Sequence, residues 1–182
     1  MISQVLVRAG RERGKMKKGQ LGFSLIELLI VVAVILVIAA IAIPNLLRSR
    51  VAANQASAVG SLHLLNTAEV TYMTTYSSYS PTLGDLGPPG EGLNPVATAA
   101  GLVDSILSGG SPAATQSSKS GYTFTYLAGV SDASGRVYSY SILATPNQVG
   151  TSGNTFYYTD QVGVIRENTT AVAGSSDSPL AG

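Results

Sequence analysis

The sequence predicts an α+β fold: a long N-terminal helix, half membrane-spanning and half amphipathic, packed against a small antiparallel β-sheet head. Three observations carry this. Phe23 to Ile43 is an apolar run of 21 residues with two polar members, Ser24 and Glu27. Beyond it, Leu47, Val51, Ala58, Leu62, Leu65, Tyr72 and Tyr76 recur at spacings of three, four or seven. That is the stripe of an amphipathic helix, interrupted by Gln55 and Glu69. From Gly121 onward the period changes to two, as half-buried strands require.

Taken in order, residues 1–22 form a basic leader. Six of the eleven basic residues lie in the first 18 positions, opposed there by Glu12 alone. A start at Met16, followed by Lys17 and Lys18, would give the shorter leader MKKGQLG, and the residues leave both starts open. The run 23–43 follows, with Leu28 to Ile43 giving 16 unbroken apolar residues. As a helix, 21 residues span about 31 Å, the thickness of the hydrocarbon core of a bilayer. A buried helix of a soluble protein would keep polar positions on one face, and none occurs after Glu27. The basic leader places the N-terminus in the cytoplasm and exports the body.

Residues 44–76 are the amphipathic half. Pro44 removes one intrahelical hydrogen bond and is expected to kink the helix where it leaves the membrane. Residues 77–120 form a Ser/Gly/Pro-rich loop. Asn94-Pro95 reads as a helix start and Gly109 as a stop, predicting a short helix near 95–107. Residues 121–168 carry four expected strands. Tyr122, Phe124 and Tyr126 alternate with Thr123, Thr125 and Leu127, and Val137–Ala144 is their partner across a turn at Ser131–Gly135. Phe156–Thr159 and Val164–Glu167, joined at Asp160–Gly163, form a second hairpin. Residues 169–182 are expected to be a flexible tail.

Composition closes several routes to function. The chain has no cysteine, which excludes a disulfide framework, thiolate zinc sites and a cysteine nucleophile. Its single histidine, His63, excludes a multi-histidine metal centre and reads as a helix-face residue, not a hydrolase base. No Lys-Ser/Thr follows the glycines of 84–92, so there is no phosphate loop. From Val51 onward three basic residues face eight acidic ones, which argues against nucleic acid as a partner of the body. Most of the nine tyrosines read as core. The Asn168-Thr169-Thr170 sequon is a common chance match.

Two cleavage sites compete. Ala40-Ile41-Ala42 matches a secretory signal site after the apolar run. Cutting there would discard Glu27, and the helix pattern runs straight through it. The other site is Gly22-Phe23-Ser24-Leu25-Ile26-Glu27. The segment KGQLGFSLIELLIVVAVILVIAAIAIPNLLRSR resembles the N-terminus of type IV pilins and the related type II secretion pseudopilins. The resemblance implies cleavage between Gly22 and Phe23 by a prepilin peptidase that also methylates Phe23. It implies that Glu27, the fifth mature residue, aligns one subunit with the next, and that Pro44 is a site of local unwinding on assembly.

An ionised carboxylate in a bilayer costs about 2.5–3.5 kcal/mol on the lenient scale, so Glu27 needs a counter-charge. After cleavage the α-amino group of Phe23 supplies one, in the same chain or a neighbour. Ala33, Ala39, Ala40 and Ala42 offer close-approach points for helix packing in lipid.

The resemblance further implies a pilin-like head and a structural rather than enzymatic role. Its partners would be further copies of the chain, the peptidase, an assembly ATPase and platform protein, and the bacterial inner membrane. The fibre would be an extracellular pilus or a periplasmic pseudopilus. No cofactor is implied. Relatives often staple the head with a cysteine pair, which is absent here. Some pseudopilins bind calcium, but Asp160, Glu167 and Asp177 are too scattered to be recognised as such a site.

Overall fold

The computed structural model describes residues 22–180. The leader residues 1–21 and the last two residues of the expected tail lie outside that range. The chain divides into two compact units, the first ending at Ile41 and the second beginning at Ala42. Helix α1, Leu25–Tyr76, supplies the described helix of the first unit and opens the second. It runs through Pro44 without a break in helical assignment.

In the second unit, α1 presents Ala58, Leu62, Leu65, Ala68 and Tyr72 as a buried stripe. The helix packs on a five-stranded antiparallel sheet in simple sequential order. The strands are β1 (Gln116–Lys119), β2 (Tyr122–Ala128), β3 (Tyr140–Pro146), β4 (Phe156–Asp160) and β5 (Arg166–Asn168). Pairing sets Phe124 opposite Ala144 and Tyr126 opposite Ile142, so the inward residues of β2 and β3 share one face. That face, with Tyr122, Tyr140 and Tyr157, closes on the helix stripe as one apolar cluster. Each fully buried large apolar side chain contributes about 1.5–3 kcal/mol relative to exposure. The fold is therefore the α+β one expected, with the helix stripe and the β2 alternation as read.

Four details differ from expectation. No helix occupies 95–107; the backbone donors of that stretch reach across to another segment. Ala100 donates to the Asp85 carbonyl, Gly101 to Gly87, and Leu102 and Val103 to Leu86. The helical turn lies instead at Leu83–Leu86, a 3₁₀ turn closed by Thr82 and Asp85 in a reciprocal capping box.

A fifth strand, β1, forms from the polar run Gln116–Lys119, where only Ser117 is buried and no alternation was visible. β3 begins at Tyr140, not Val137. The reason is that Val137 is engaged elsewhere: its carbonyl accepts from the Tyr79 amide at 2.8 Å and its amide donates to Ser78 Oγ at 2.9 Å.

The fourth difference is the tail. Residues 169–180 fold back along β5, with Leu180 donating to the Ile165 carbonyl at 2.8 Å and Glu167 donating to Ser178 at 3.0 Å. Asp177 organises the return, accepting from Asn168 Nδ2 at 2.9 Å and from the Gly174 amide at 2.7 Å. Ala173 is buried by the same fold-back.

Candidate functional site

The first candidate site is the start of α1. Gly22, Phe23 and Ser24 are exposed and precede the helix, which begins at Leu25. The Ser24 carbonyl opens the helix by accepting from the amides of Glu27 and Leu28, at 3.1 and 3.2 Å. The Gly22–Phe23 peptide bond is thus in irregular, accessible backbone, the conformation a peptidase needs.

Glu27 stands in the first turn, where the unpaired amide groups of a helix favour a negative charge. It makes no side-chain hydrogen bond to any described residue. Phe23 precedes the helix, and in the uncleaved chain its nitrogen is a neutral peptide amide that offers Glu27 no counter-charge.

Around Glu27, the large apolar side chains from Leu25 to Ile43 are about half or more exposed. Among the described residues, α1 is the one helix long and apolar enough to cross a membrane. An exposed apolar surface of this extent marks a membrane or a partner. Pro44 follows it inside the helix, unable to return a hydrogen bond to the Ala40 carbonyl.

The second unit holds a buried polar cluster around Glu69, which in the sequence shows only as an interruption of the helix stripe. Glu69 is fully buried on the inner face of α1. Its Oε2 accepts from the Ser80 amide at 3.0 Å, and its Oε1 lies in hydrogen-bond contact with Ser80 Oγ. Ser80 Oγ reaches Tyr126 Oη at 3.2 Å, and Tyr126 Oη donates to the Ser80 carbonyl at 2.7 Å.

Burial raises the Glu69 carboxyl above its ordinary 4.5, outweighing the Ser80 hydrogen bonds. Burial and the neighbouring Glu69 push Tyr126 up as well. In the protonated form the set closes on itself: Glu69 donates to Ser80 Oγ, that hydroxyl donates to Tyr126, and Tyr126 donates to the Ser80 carbonyl. It joins α1, the Ser77–Ser80 segment and β2.

A second buried set links α1 to the far strands. Asn66 Nδ2 donates to Thr159 Oγ1 at 2.9 Å, and the Tyr140 hydroxyl donates to Asn66 Oδ1 at 3.1 Å. The signal for Glu69 was present in the spacing, since Leu62, Leu65, Glu69 and Tyr72 keep the three-and-four rhythm of the buried face. A carboxylate there reads as an interruption only if it is assumed ionised. His63, by contrast, is exposed on the opposite face.

Comparison with known proteins gives a match that spans the first site. The family described as the prokaryotic N-terminal methylation motif matches residues 17–43. In this chain the matched segment includes Gly22, Phe23 and Glu27 and runs into the apolar part of the helix Leu25–Tyr76, which leads into the sheet. The family match is thus confined to the N-terminal part of the chain.

One relative is a type IV major pilin protein PilA of Myxococcus xanthus (strain DK1622), 41% identical over 66 residues. The match covers 36% of this chain and 30% of that protein, so this chain spans about a third of the relative's length. No solved structure matches the chain.

Proposed function

We propose that the chain is the precursor of the structural subunit of a type IV pilus or pilus-like filament, with no catalytic activity of its own. The observation that carries this is the placement of Gly22–Phe23 in exposed, non-helical backbone directly before an apolar helix that carries one acid, Glu27.

On this reading the basic leader holds the chain in the inner membrane with its N-terminus in the cytoplasm. The prepilin peptidase cuts after Gly22 and methylates Phe23. An assembly ATPase and platform protein then draw the mature subunit into a helical homopolymer. Helices packed in the fibre core replace the lipid around Leu25–Ile43, and Glu27 pairs with the Phe23 amino group of the adjacent subunit, fixing their axial register. Pro44 is the point at which the helix yields to that packing.

The major pseudopilin of a type II secretion or competence system is the second reading. It shares the same N-terminal features, including Gly22, Phe23 and Glu27. The two differ in where the fibre is. Immunolabelling of intact cells is expected to show the chain in fibres beyond the cell surface. Label appearing only after the outer membrane is opened would overturn the pilus reading in favour of the pseudopilus, and label in neither fraction would overturn both.

A further inference from the structure

Beyond the apolar run, α1 and the loop between β3 and β4 enclose a groove of about 360 Å³, within the range of small-ligand sites. Its helix wall is Leu47, Arg48 and Val51, and its loop wall is Gly150, Thr151 and Asn154.

The loop wall is held in place. Asn54 Nδ2 donates to the Ser152 carbonyl at 2.9 Å and Gln55 Nε2 to Thr155 Oγ1 at 2.7 Å. Gly150 takes φ +85°, a left-handed turn that a side chain would strain. Within the loop, the Gly150 amide donates to the Gly153 carbonyl at 3.0 Å. Gly153 packs so closely under Tyr122 that a Cβ there would strike the ring hydroxyl.

Against this fixed wall, the polar ends of Arg48, Thr151 and Asn154 make no hydrogen bond to any described residue. The ion pairs among the described residues are Lys119–Asp104 and Arg136–Asp132, so Arg48 is without a carboxylate.

Position along the helix decides what this cation meets. Leu47 and Arg48 lie four and five residues past Ile43, about 6 and 8 Å along the axis, within reach of a headgroup layer about 5–8 Å deep beyond the hydrocarbon, while Val51 stands above it at about 12 Å. We propose that the groove binds the phosphate of a membrane lipid: Arg48 pairs with the phosphate, Thr151 and Asn154 hydrogen-bond its oxygens, and Leu47, on the membrane side, covers the glycerol.

A lipid phosphate is favoured over a free one because the rest of the body is net acidic and repels dissolved anions. A lipid phosphate is already held at this depth. The proposal rests on the reading of Phe23–Ile43 as a membrane span.

The test is native mass spectrometry of the full chain in detergent with added phosphatidylglycerol. The chain is expected to retain one lipid, and Arg48→Gln or the groove-filling Ala52→Phe to lower the retained fraction about tenfold. Arg50→Gln, at an exposed position outside the groove, is expected to change it less than twofold. Equal retention in Arg48→Gln and Ala52→Phe would overturn the proposal. Displacement of the lipid by equimolar inorganic phosphate would overturn the lipid source. Flotation with phosphatidylglycerol vesicles separates the two levels of failure: a chain that floats but retains no lipid refutes the groove alone, and a chain that stays in water refutes the membrane span as well.

Discussion

Glu27→Val is expected to leave leader removal intact and to lower incorporation into filaments about a hundredfold. The physical reason is the unpaired charge left behind. Holding one ionised group in an apolar helix bundle without its partner costs about 2.5–3.5 kcal/mol, and 1.4 kcal/mol is a factor of ten. The variant removes the acid but keeps the Phe23 amino group of each neighbour, now buried alone. Glu27→Gln restores hydrogen bonding without charge and should fall between the two. The measurement is the ratio of the chain in a sheared filament fraction to that in the membrane fraction, with the mass of the membrane pool reporting processing. Fibres at normal yield from Glu27→Val would contradict an assembly role for this residue.

The second large effect lies in the head. Glu69→Ala leaves the buried Ser80 amide without its acceptor and takes the carboxyl partner from the Ser80 hydroxyl, at a cost of about 1–3 kcal/mol. The melting temperature of the head should fall by about 2–4 °C per kcal/mol. The acid also fixes the direction of the pH dependence. Its folded pKa is raised above the ordinary 4.5, so the folded head holds the proton more tightly than the unfolded chain. The contribution of Glu69 to stability is complete below 4.5 and is lost as pH rises through the elevated folded value.

Asp85 is shifted upward by burial too and adds a slope of the same sign. Asp104 acts in the opposite sense. Its hydrogen bonds to Lys119 and to the Leu107 amide lower it, so its contribution is lost on acidification below 3.8. Denaturation of the full chain in detergent at pH 5 and pH 8 should therefore show lower stability at pH 8. Glu69→Gln should flatten most of that difference while keeping an acceptor for the Ser80 amide. An unchanged pH slope in Glu69→Gln would show that Glu69 does not carry it.

Much of this was legible in the residues because strong local patterns carried it. The apolar run before Pro44, the stripe from Ala58 to Tyr72 and the alternation of Tyr122, Phe124 and Tyr126 each encode a buried or membrane-facing surface. Elements that rest on tertiary pairing were not legible. The 95–107 stretch has a start and a stop signal for a helix, but its amides bond across to the Leu83–Leu86 turn. β1 exists because Gln116–Lys119 lies along β2, not because its own residues favour a strand. The tail is ordered by backbone bonds between Ser178 and Glu167 and between Leu180 and Ile165, together with the side chain of Asp177, in an otherwise low-complexity run. Of the site residues, Gly22, Phe23 and Glu27 were visible as a contiguous motif. Glu69 and Ser80 were not, because their meeting depends on the chain doubling back after Tyr76.

The central claim is that the apolar helix survives processing and begins the mature protein. Intact-mass measurement of the exported chain, with sequencing of its first residue, tests this most directly. The result predicted is a chain of 160 residues, the 182 less the first 22, opening on N-methylated Phe23. A chain opening on Ile43 would mean that the helix had been discarded as a secretory signal, and would contradict the account.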